Sequence, residues 1–469
     1  MNNVVPKADD SQLPARDGLA GELHQILNPR SVAIVGASSS PTKFGHFFTQ
    51  CFVDMGFPCV YPVNPRESKV LGFKAYPTVR DIPDAVDLAF IVTPTDAVLP
   101  VVEDCGLKGV KGIVIYSSGF AEKGPQGARL QRQVVEVARR YGSRVIGPNC
   151  MGIYSPKSRL SYYVGMPKEA GPIAMISHSG SLSVFLALLA DSKGLHFNTV
   201  VSCGNEADLT SVDFFEYFGS DPDVSMIVAY LEGVKEGRRF MKLARDISRR
   251  KPVIVVKAGI TARGGRAAGS HTGALAGSAE VWRGVVRQAG VVAVSSVEEL
   301  VDAMVAFSRL PYPRGPRVAI VSGPGGPAVL AADACVQEGL EVAELTSETR
   351  TRLSGLMPAV GTSVDNPVDL GMGTVMSPEM YRPVVETLAA DNNVDALVVI
   401  GNCDHAFSDV MIGLRRSIAQ PLVVAGLLPP ERFPDGYLHL AANDVAVYPD
   451  PPRAVASLAK VYHYGRWRS

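Results

Sequence analysis

The feature that most constrains this chain is a repeated alternation. Short β-branched runs are separated by segments of helix length. Five such runs come first, at residues 31–35, 59–63, 88–92, 112–116 and 144–146. Between the last two, residues 127–141 place Leu130, Val134, Val137 and Ala138 at three- and four-residue spacing, the apolar face of a helix. A second set runs through 172–176, 199–202, 226–230, 253–256 and 291–294. A third runs through 317–321, 340–345, 396–400, 421–424 and 445–448. Strand–helix–strand repetition at this interval predicts an α/β fold of doubly wound parallel sheets.

At about 100–200 residues per domain, 469 residues hold two to four domains. The Pro-rich stretch 311–316 reads as an interdomain linker. The expected division is a leader over 1–27, domains over 28–150 and 151–307, a linker over 308–316, and a last domain over 317–469. Lys+Arg and Asp+Glu both number 46, so the chain lacks the basic field of a protein that wraps nucleic acid or lies on an anionic membrane. No apolar stretch reaches the roughly 20 residues that span a bilayer. The first 19 residues mix Lys7, Arg16, Asp9, Asp10 and Asp17 with no apolar core, unlike a signal peptide. The seven cysteines form no CxxC pair, which suits reduced cytoplasmic thiols and argues against a disulfide frame or zinc site.

Three small-residue turns follow the first strands of the three sets. The first, Gly36-Ala-Ser-Ser-Ser-Pro-Thr-Lys-Phe-Gly45, suits a phosphate approaching the free N–H groups of a helix N-terminus, with Lys43 adding a full charge. A nicotinamide-binding unit usually places an acid at the end of the second strand, about 20 residues on. Here that place reads Val60-Tyr-Pro-Val-Asn-Pro65, which disfavours an NAD-dependent oxidoreductase. Pro94, Ser117-Ser-Gly-Phe-Ala-Glu122 and Gly147-Pro-Asn-Cys150 also fall at carboxyl ends of parallel strands, where such sheets bind ligands. The turns at 177–181 and 323–326 repeat the logic of the first, and two such helix starts facing one another would hold a phosphoryl dianion. The segment 262–277 is rich in Gly and Ala with His271 near its centre. A histidine there has few packing partners, and an imidazole can carry a phosphoryl group reversibly on one ring nitrogen. Its other nitrogen then needs an acceptor, for which Glu232, at a strand end in Tyr230-Leu-Glu-Gly233, is the candidate. His178, inside the second turn, is read as a neighbour of the phosphate site.

Together these residues resemble the α-subunit of the ADP-forming acyl-CoA synthetases, relatives of succinyl-CoA synthetase, from about Leu27 onward. Ser270-His-Thr-Gly-Ala-Leu-Ala-Gly277 is similar to that family's phosphohistidine loop, and Tyr230-Leu-Glu-Gly233 to the segment whose glutamate supports the histidine. Ile176-Ser-His-Ser-Gly180 and Val321-Ser-Gly-Pro-Gly-Gly326 resemble its two phosphate-facing helix starts. The family usually has Gln or Arg where this chain has His178. The resemblance implies an N-terminal Rossmann-like CoA-binding domain followed by two flavodoxin-like domains. It implies catalytic roles for His271 and Glu232, and phosphate contacts from Ser177, Ser179, Gly180, Gly325 and Gly326. CoA contacts are expected from Gly36, Ser38, Ser39, Lys43, Asn64, Pro65, Pro94, Ser118, Gly119, Glu122 and Asn149. No metal ligands are expected in this chain. ATP or ADP with Mg2+ would bind a partner, an ATP-grasp β-subunit, in an α2β2 assembly. The reaction implied is carboxylic acid + CoA + ATP ⇌ acyl-CoA + ADP + Pi, an acid–thiol ligation through an acyl phosphate and a phosphohistidine. A non-catalytic CoA- or nucleotide-binding regulator on the same scaffold is the alternative; it would need neither His271 nor Glu232.

Overall fold

The structure, a computed structural model, describes residues 18–261, 263–266, 278–375 and 377–469. The first sheet comprises β1 (Val32–Val35), β2 (Val60–Val63), β5 (Leu88–Ile91), β6 (Gly112–Ile115) and β7 (Arg144–Ile146), with a small hairpin of β3 (Lys69–Val70) and β4 (Phe73–Lys74) after β2. Its order is β2-β1-β5-β6-β7, parallel throughout. A single parallel bridge from Val63 to Tyr76 extends it outside β2, so the chain passes outward from β1 before crossing back to β5, the Rossmann-like order. Strands β1, β5 and β6 are buried at every residue, as expected when helices cover both faces.

Those helices include α1 (Leu19–Leu27), α2 (Phe44–Asp54), α3 (Val98–Lys108) and α4 (Pro125–Arg140). Helix α1 falls within the expected leader, yet it belongs to the fold. Leu23, Ile26 and Leu27 are buried, each contributing about 1.5–3 kcal/mol. Ile26 lies where a Cβ on Gly112 would stand only 2.9 Å away. The helical spacing of these apolar residues is the signal that the leader reading passed over.

The second sheet holds β8 (Gly152–Tyr154), β9 (Ile173–Ser177), β10 (Phe197–Ser202), β11 (Met226–Leu231), β12 (Val253–Lys257) and β13 (Val292–Val294), in the order β13-β12-β11-β9-β10-β8. Only β8 is antiparallel, at the edge. Helices α5 (Gly180–Asp191), α6 (Ser211–Ser220), α7 (Gly237–Ser248), α8 (Ala279–Ala289) and α9 (Val297–Arg309) accompany it. The third sheet orders β15 (Glu341–Val342), β14 (Arg317–Ser322), β17 (Ala396–Gly401), β18 (Leu422–Gly426) and β19 (Ala446–Tyr448), with β16 (Val368–Asp369) paired to the end of β14. Its helices are α10 (Gly325–Gln337), α11 (Ser347–Leu356), α12 (Tyr381–Ala389), α13 (His405–Ser417), α14 (Pro434–Ala442) and α15 (Pro451–Arg468). Counting the main parallel strands in chain order, both sheets run 2-1-3-4-5, the flavodoxin-like arrangement. The strand expected over 340–345 shrinks to two residues, because the chain leaves the ladder to place Thr346 as the N-cap of α11.

The stretch 308–316 is not a loose tether. Leu310 is buried, and the Tyr312 ring lies 5.8 Å from that of Tyr464 in α15. Helix α15 follows the third sheet but straps back over the second. The Tyr464 hydroxyl donates to Ser248 O, Arg453 forks onto Asp302 at 2.6 and 2.9 Å, and Trp467 covers Gly290. No described helix is long and apolar enough to cross a membrane, and all seven cysteines are free thiols.

Candidate functional site

Every expected site residue among those described lies on a loop at the carboxyl end of a parallel strand, or at the helix start that follows it. After β1, Gly36 adopts a φ of +93°, and a Cβ on Gly45 would stand 1.9 Å from Gly36 O. The start of α2 can therefore close on the turn only with glycine at 45. Lys43 is the N-cap of α2 and supplies no side-chain cap, which leaves first-turn N–H groups for an anion. Ser38 is buried and Ser39 exposed. Their hydroxyl and N–H, however, are taken by Glu67, at 3.0 and 2.9 Å. The Glu67 carboxyl is held below its ordinary range, chiefly by Ser39 and in smaller part by Ser38.

Glu67 corrects the sequence argument. An acid does serve the end of β2, but two residues past the expected segment and folded back onto the glycine turn. Asn64 likewise shapes the loop: its amide donates to Ala37 O at 2.7 Å and its oxygen accepts Arg66 N–H at 2.8 Å. Pro65, Pro94 and Ser118 are exposed at the same sheet edge. Gly119 has a φ of +106° and presents its N–H to Glu122. The Glu122 carboxylate also accepts from Phe120 N and, across to the second unit, from the Asn205 amide at 2.6 Å. Burial would raise its pKa, but the Asn205 and backbone donors win and lower it. Glu122 therefore ties two units together. Asn149, at φ +58°, lies on the same seam, 3.4 Å from Asn205 Oδ1.

In the second unit, Ser177 ends β9 and its hydroxyl donates to Ser179 O at 2.7 Å. Ser179 caps α5, accepting from Leu182 N, and Gly180 opens the helix. The third unit repeats the device. Ser322 ends β14, its hydroxyl donates to Pro324 O at 2.7 Å, and Gly325 and Gly326 open α10. Both serines spend their hydroxyls on shaping the turns. A Cβ on Gly325 would meet Asp369 Oδ2 at 2.8 Å, so the Asp369 carboxylate lies close against this helix start.

His178 does not sit as a phosphate neighbour. Its ring turns inward and the residue is 5% exposed. Nδ1 accepts the Glu232 N–H at 3.1 Å, and Nε2 lies 3.0 Å from Glu206 Oε1. Glu232 is 4% exposed, so it is no solvated strand end. Its carbonyl accepts from Lys257 Nζ at 2.8 Å. Burial, and then the Glu232 charge, raise the Tyr230 pKa; burial lowers that of Lys257 against the pull of the same carboxylate. Sequence reasoning missed Glu206 and Lys235. Burial alone would raise the Glu206 pKa, yet its interactions with His178 and Ser211 hold it down. Lys235 Nζ donates to the carbonyls of Asn205 and Glu206 at 2.7 and 2.6 Å. The available signal was the Gly204-Asn-Glu206 turn closing β10, one strand from the turn that carries His178. His271 lies outside the described residues.

Three domain families match the chain: a CoA binding domain over 30–156, a succinyl-CoA ligase like flavodoxin domain over 170–307, and a ligase-CoA domain over 318–424. The α-subunit of acetate–CoA ligase [ADP-forming] I from Pyrococcus furiosus is 38% identical over 463 residues, covering 95% of this chain and 98% of its own length. Acetate–CoA ligase [ADP-forming] I of Archaeoglobus fulgidus is 38% identical over 447 residues, covering 95% of this chain and 64% of that longer protein. The dinucleotide-forming acetyl-coenzyme A synthetase 1 of Ca. Korarchaeum cryptofilum, solved with phosphate and ADP, superposes with a TM-score of 0.86 at 34% identity, covering 95% of this chain and 97% of that one. With the Rossmann-like sheet, the paired serine turns and the buried Glu232 in the positions described, this chain belongs to the family of ADP-forming acetate–CoA ligase α-subunits.

Proposed function

We propose that the chain is the CoA-binding, phosphohistidine-carrying subunit of an acid–CoA ligase that interconverts carboxylic acid + CoA + ATP with acyl-CoA + ADP + Pi. In the direction of ATP synthesis, phosphate attacks the thioester carbon, the C–S bond breaks, and CoA leaves as the thiol. One ring nitrogen of His271 then takes the phosphoryl group from the acyl phosphate, releasing the acid as carboxylate, and passes it to ADP. The observation that carries this reading is Glu232: buried, at a strand end, with its peptide fixed on both sides. A preorganised carboxylate of this kind stabilises the imidazolium character that develops as the opposite nitrogen reacts.

The first unit would hold CoA. Its phosphates would meet the first turn of α2 and Lys43, with Ser38, Ser39 and the exposed edge at Pro65, Pro94 and Ser118 around them. The helix starts at Gly180 and Gly325–Gly326 would bind the phosphoryl group. A separate ATP-grasp subunit would supply the nucleotide and Mg2+ site, in an α2β2 enzyme of the cytoplasm. In support, the Pyrococcus relative, matched over 98% of its length, is named as a subunit. The test uses the chain reconstituted with its ATP-grasp partner, acetyl-CoA and radiolabelled phosphate. One acid-labile phosphoryl group per chain is expected, absent from His271→Ala. Label that persists in His271→Ala would refute the assignment. So would full ATP formation by the chain without a partner.

A further inference from the structure

Four loops meet in a line at the carboxyl edge of the second sheet. They follow β10, β9, β11 and β12, which are adjacent in that spatial order. Glu206 comes from the first, His178 from the second, the Glu232 peptide from the third and Lys257 from the end of the fourth strand. A run of hydrogen bonds crosses all four. Ser211 N, at the start of α6, donates to Glu206 Oε1. The same oxygen faces His178 Nε2 at 3.0 Å. His178 Nδ1 accepts from Glu232 N at 3.1 Å, and Lys257 Nζ donates to Glu232 O at 2.8 Å.

The direction of each bond is fixed by chemistry. The Glu232 N–H can only donate, so Nδ1 accepts and the proton of the neutral ring stands on Nε2, facing a carboxylate that can only accept. Glu206 is set in turn by a helix N-terminus and by Lys235 on its own carbonyl. The His178 backbone N–H donates to Tyr230 O at 3.1 Å, so the ring's origin is tied to the strand whose continuation it grips. Glu232 lies just past the last residue of β11; on the β12 side Leu231 O still accepts from Ala258 N at 2.9 Å, but the Glu232 N–H, which faces β9, is bonded by no strand. The imidazole replaces the missing ladder partner.

We infer that the buried His178–Glu206 pair is a positioning device for Glu232, and that His178 thereby sets the rate of phosphoryl transfer without touching the phosphoryl group. This rests on the proposed role of Glu232 beside His271. The two bonds hold the peptide groups on either side of the Glu232 Cα, one by its N–H and the other by its carbonyl, and so fix the point from which the carboxylate projects. Releasing the N–H leaves the Leu231–Glu232 peptide held only through Leu231 O, which accepts from Ala258 N at 2.9 Å, so the peptide can tilt about that bond and shift the carboxylate, and an oriented group loses much of its catalytic effect when displaced by about 1 Å. The bond made in the step is from a His271 nitrogen to phosphorus, the bond broken is the acyl O–P bond, and the acid leaves as carboxylate.

The test compares wild type, His178→Phe and His178→Gln in the reconstituted enzyme, with acetyl-CoA and radiolabelled phosphate. Phe keeps a ring of similar size without either nitrogen; Gln restores one acceptor and one donor. Single-turnover labelling of His271 should slow by about tenfold or more in His178→Phe, with CoA affinity and the KM for phosphate within about twofold. His178→Gln should recover to within about threefold of wild type. Packing alone would move thermal stability in both variants and leave the labelling rate of folded enzyme unchanged. Wild-type labelling speed in a CoA-binding His178→Phe enzyme would overturn the inference and leave the function standing. If His178→Phe no longer binds CoA, the Gln variant decides: labelling within threefold supports the inference, and a tenfold loss with intact CoA binding overturns it. A wild type that takes up no label would overturn the functional reading, and this inference with it.

Discussion

Asp208 offers a sharp test of how the first two units are held together. Its side chain is fully buried and accepts from Arg139 Nε at 2.8 Å, Arg144 Nε at 2.9 Å and Val145 N at 2.9 Å. Replacing it with alanine leaves three groups of different fate. The Val145 N–H is completely buried, and its loss of a partner costs about 1–3 kcal/mol. Arg144, only 18% exposed, keeps Glu22 at 2.7 Å, so its charge is not stranded. Arg139 is 58% exposed and turns to water at a cost of about 0–1 kcal/mol. The terms sum to about 1–4 kcal/mol, and the upper part of that span meets the range for one-sided removal of a buried ion pair, about 3–5 kcal/mol, so a loss of about 3 kcal/mol is expected. For a unit of this size, that lowers the melting midpoint by about 6–12 °C, measured by circular dichroism. Hydrogen exchange at the Val145 amide should accelerate in parallel. Arg139→Ala should cost less than about 1 kcal/mol, because the exposed partner contributes least. Equal losses in the two variants, or Asp208→Ala within about 1 kcal/mol of wild type, would refute the reasoning. The pH dependence carries a sign. Burial alone would raise the Asp208 carboxyl, but the Arg144 and Val145 donors outweigh it and hold it below the usual range. Its contribution is therefore complete above the unfolded value, about pH 4, and is lost as the pH falls through the lower folded value; Asp208→Ala should flatten that acid limb.

Other expectations follow from the site. Glu232→Gln should slow phosphoryl transfer to and from His271 by about 10²–10⁴-fold, with CoA affinity little changed; activity within a few-fold of wild type would reduce the acid to a structural role. Lys43→Ala should weaken CoA, measured by calorimetry, more than it weakens pantetheine, which lacks the phosphates; matching losses would place the nucleotide end elsewhere. Gly45→Ala puts a methyl 1.9 Å from Gly36 O and should abolish CoA binding while circular dichroism still reports the other two units folded. Near-normal CoA affinity in that variant would mean the β1–α2 turn yields more easily than its geometry implies.

The strands were legible as short apolar runs, and two of them end in Ser177 and Ser322, whose matching turns repeat in sequence as in space. The candidate site was legible where its residues head helices or end strands. What escaped are partnerships between distant loops. Glu67 lies within reach of the β1 turn only because β2 returns beside β1. The pairing of Glu206 with His178 depends on β10 lying next to β9, an adjacency that no local pattern encodes. Helix α1 was missed for a different reason: its apolar residues match a helix, but the surfaces it meets, Gly112 against Ile26 and Tyr217 against His24, lie far along the chain.

Helix α15 makes the boundaries drawn along the chain differ from the units that unfold together. Tyr464, Trp467 and Arg453 all lie beyond the third sheet in sequence, yet their partners Ser248, Gly290 and Asp302 belong to the second unit. Cutting the chain near residue 316 would thus deprive the second unit of a surface that a distant segment completes. The last two units consequently share one fate on heating: neither can melt without releasing the same helix. That helix closes a circuit in which residues 248–302 depend on residues 453–467.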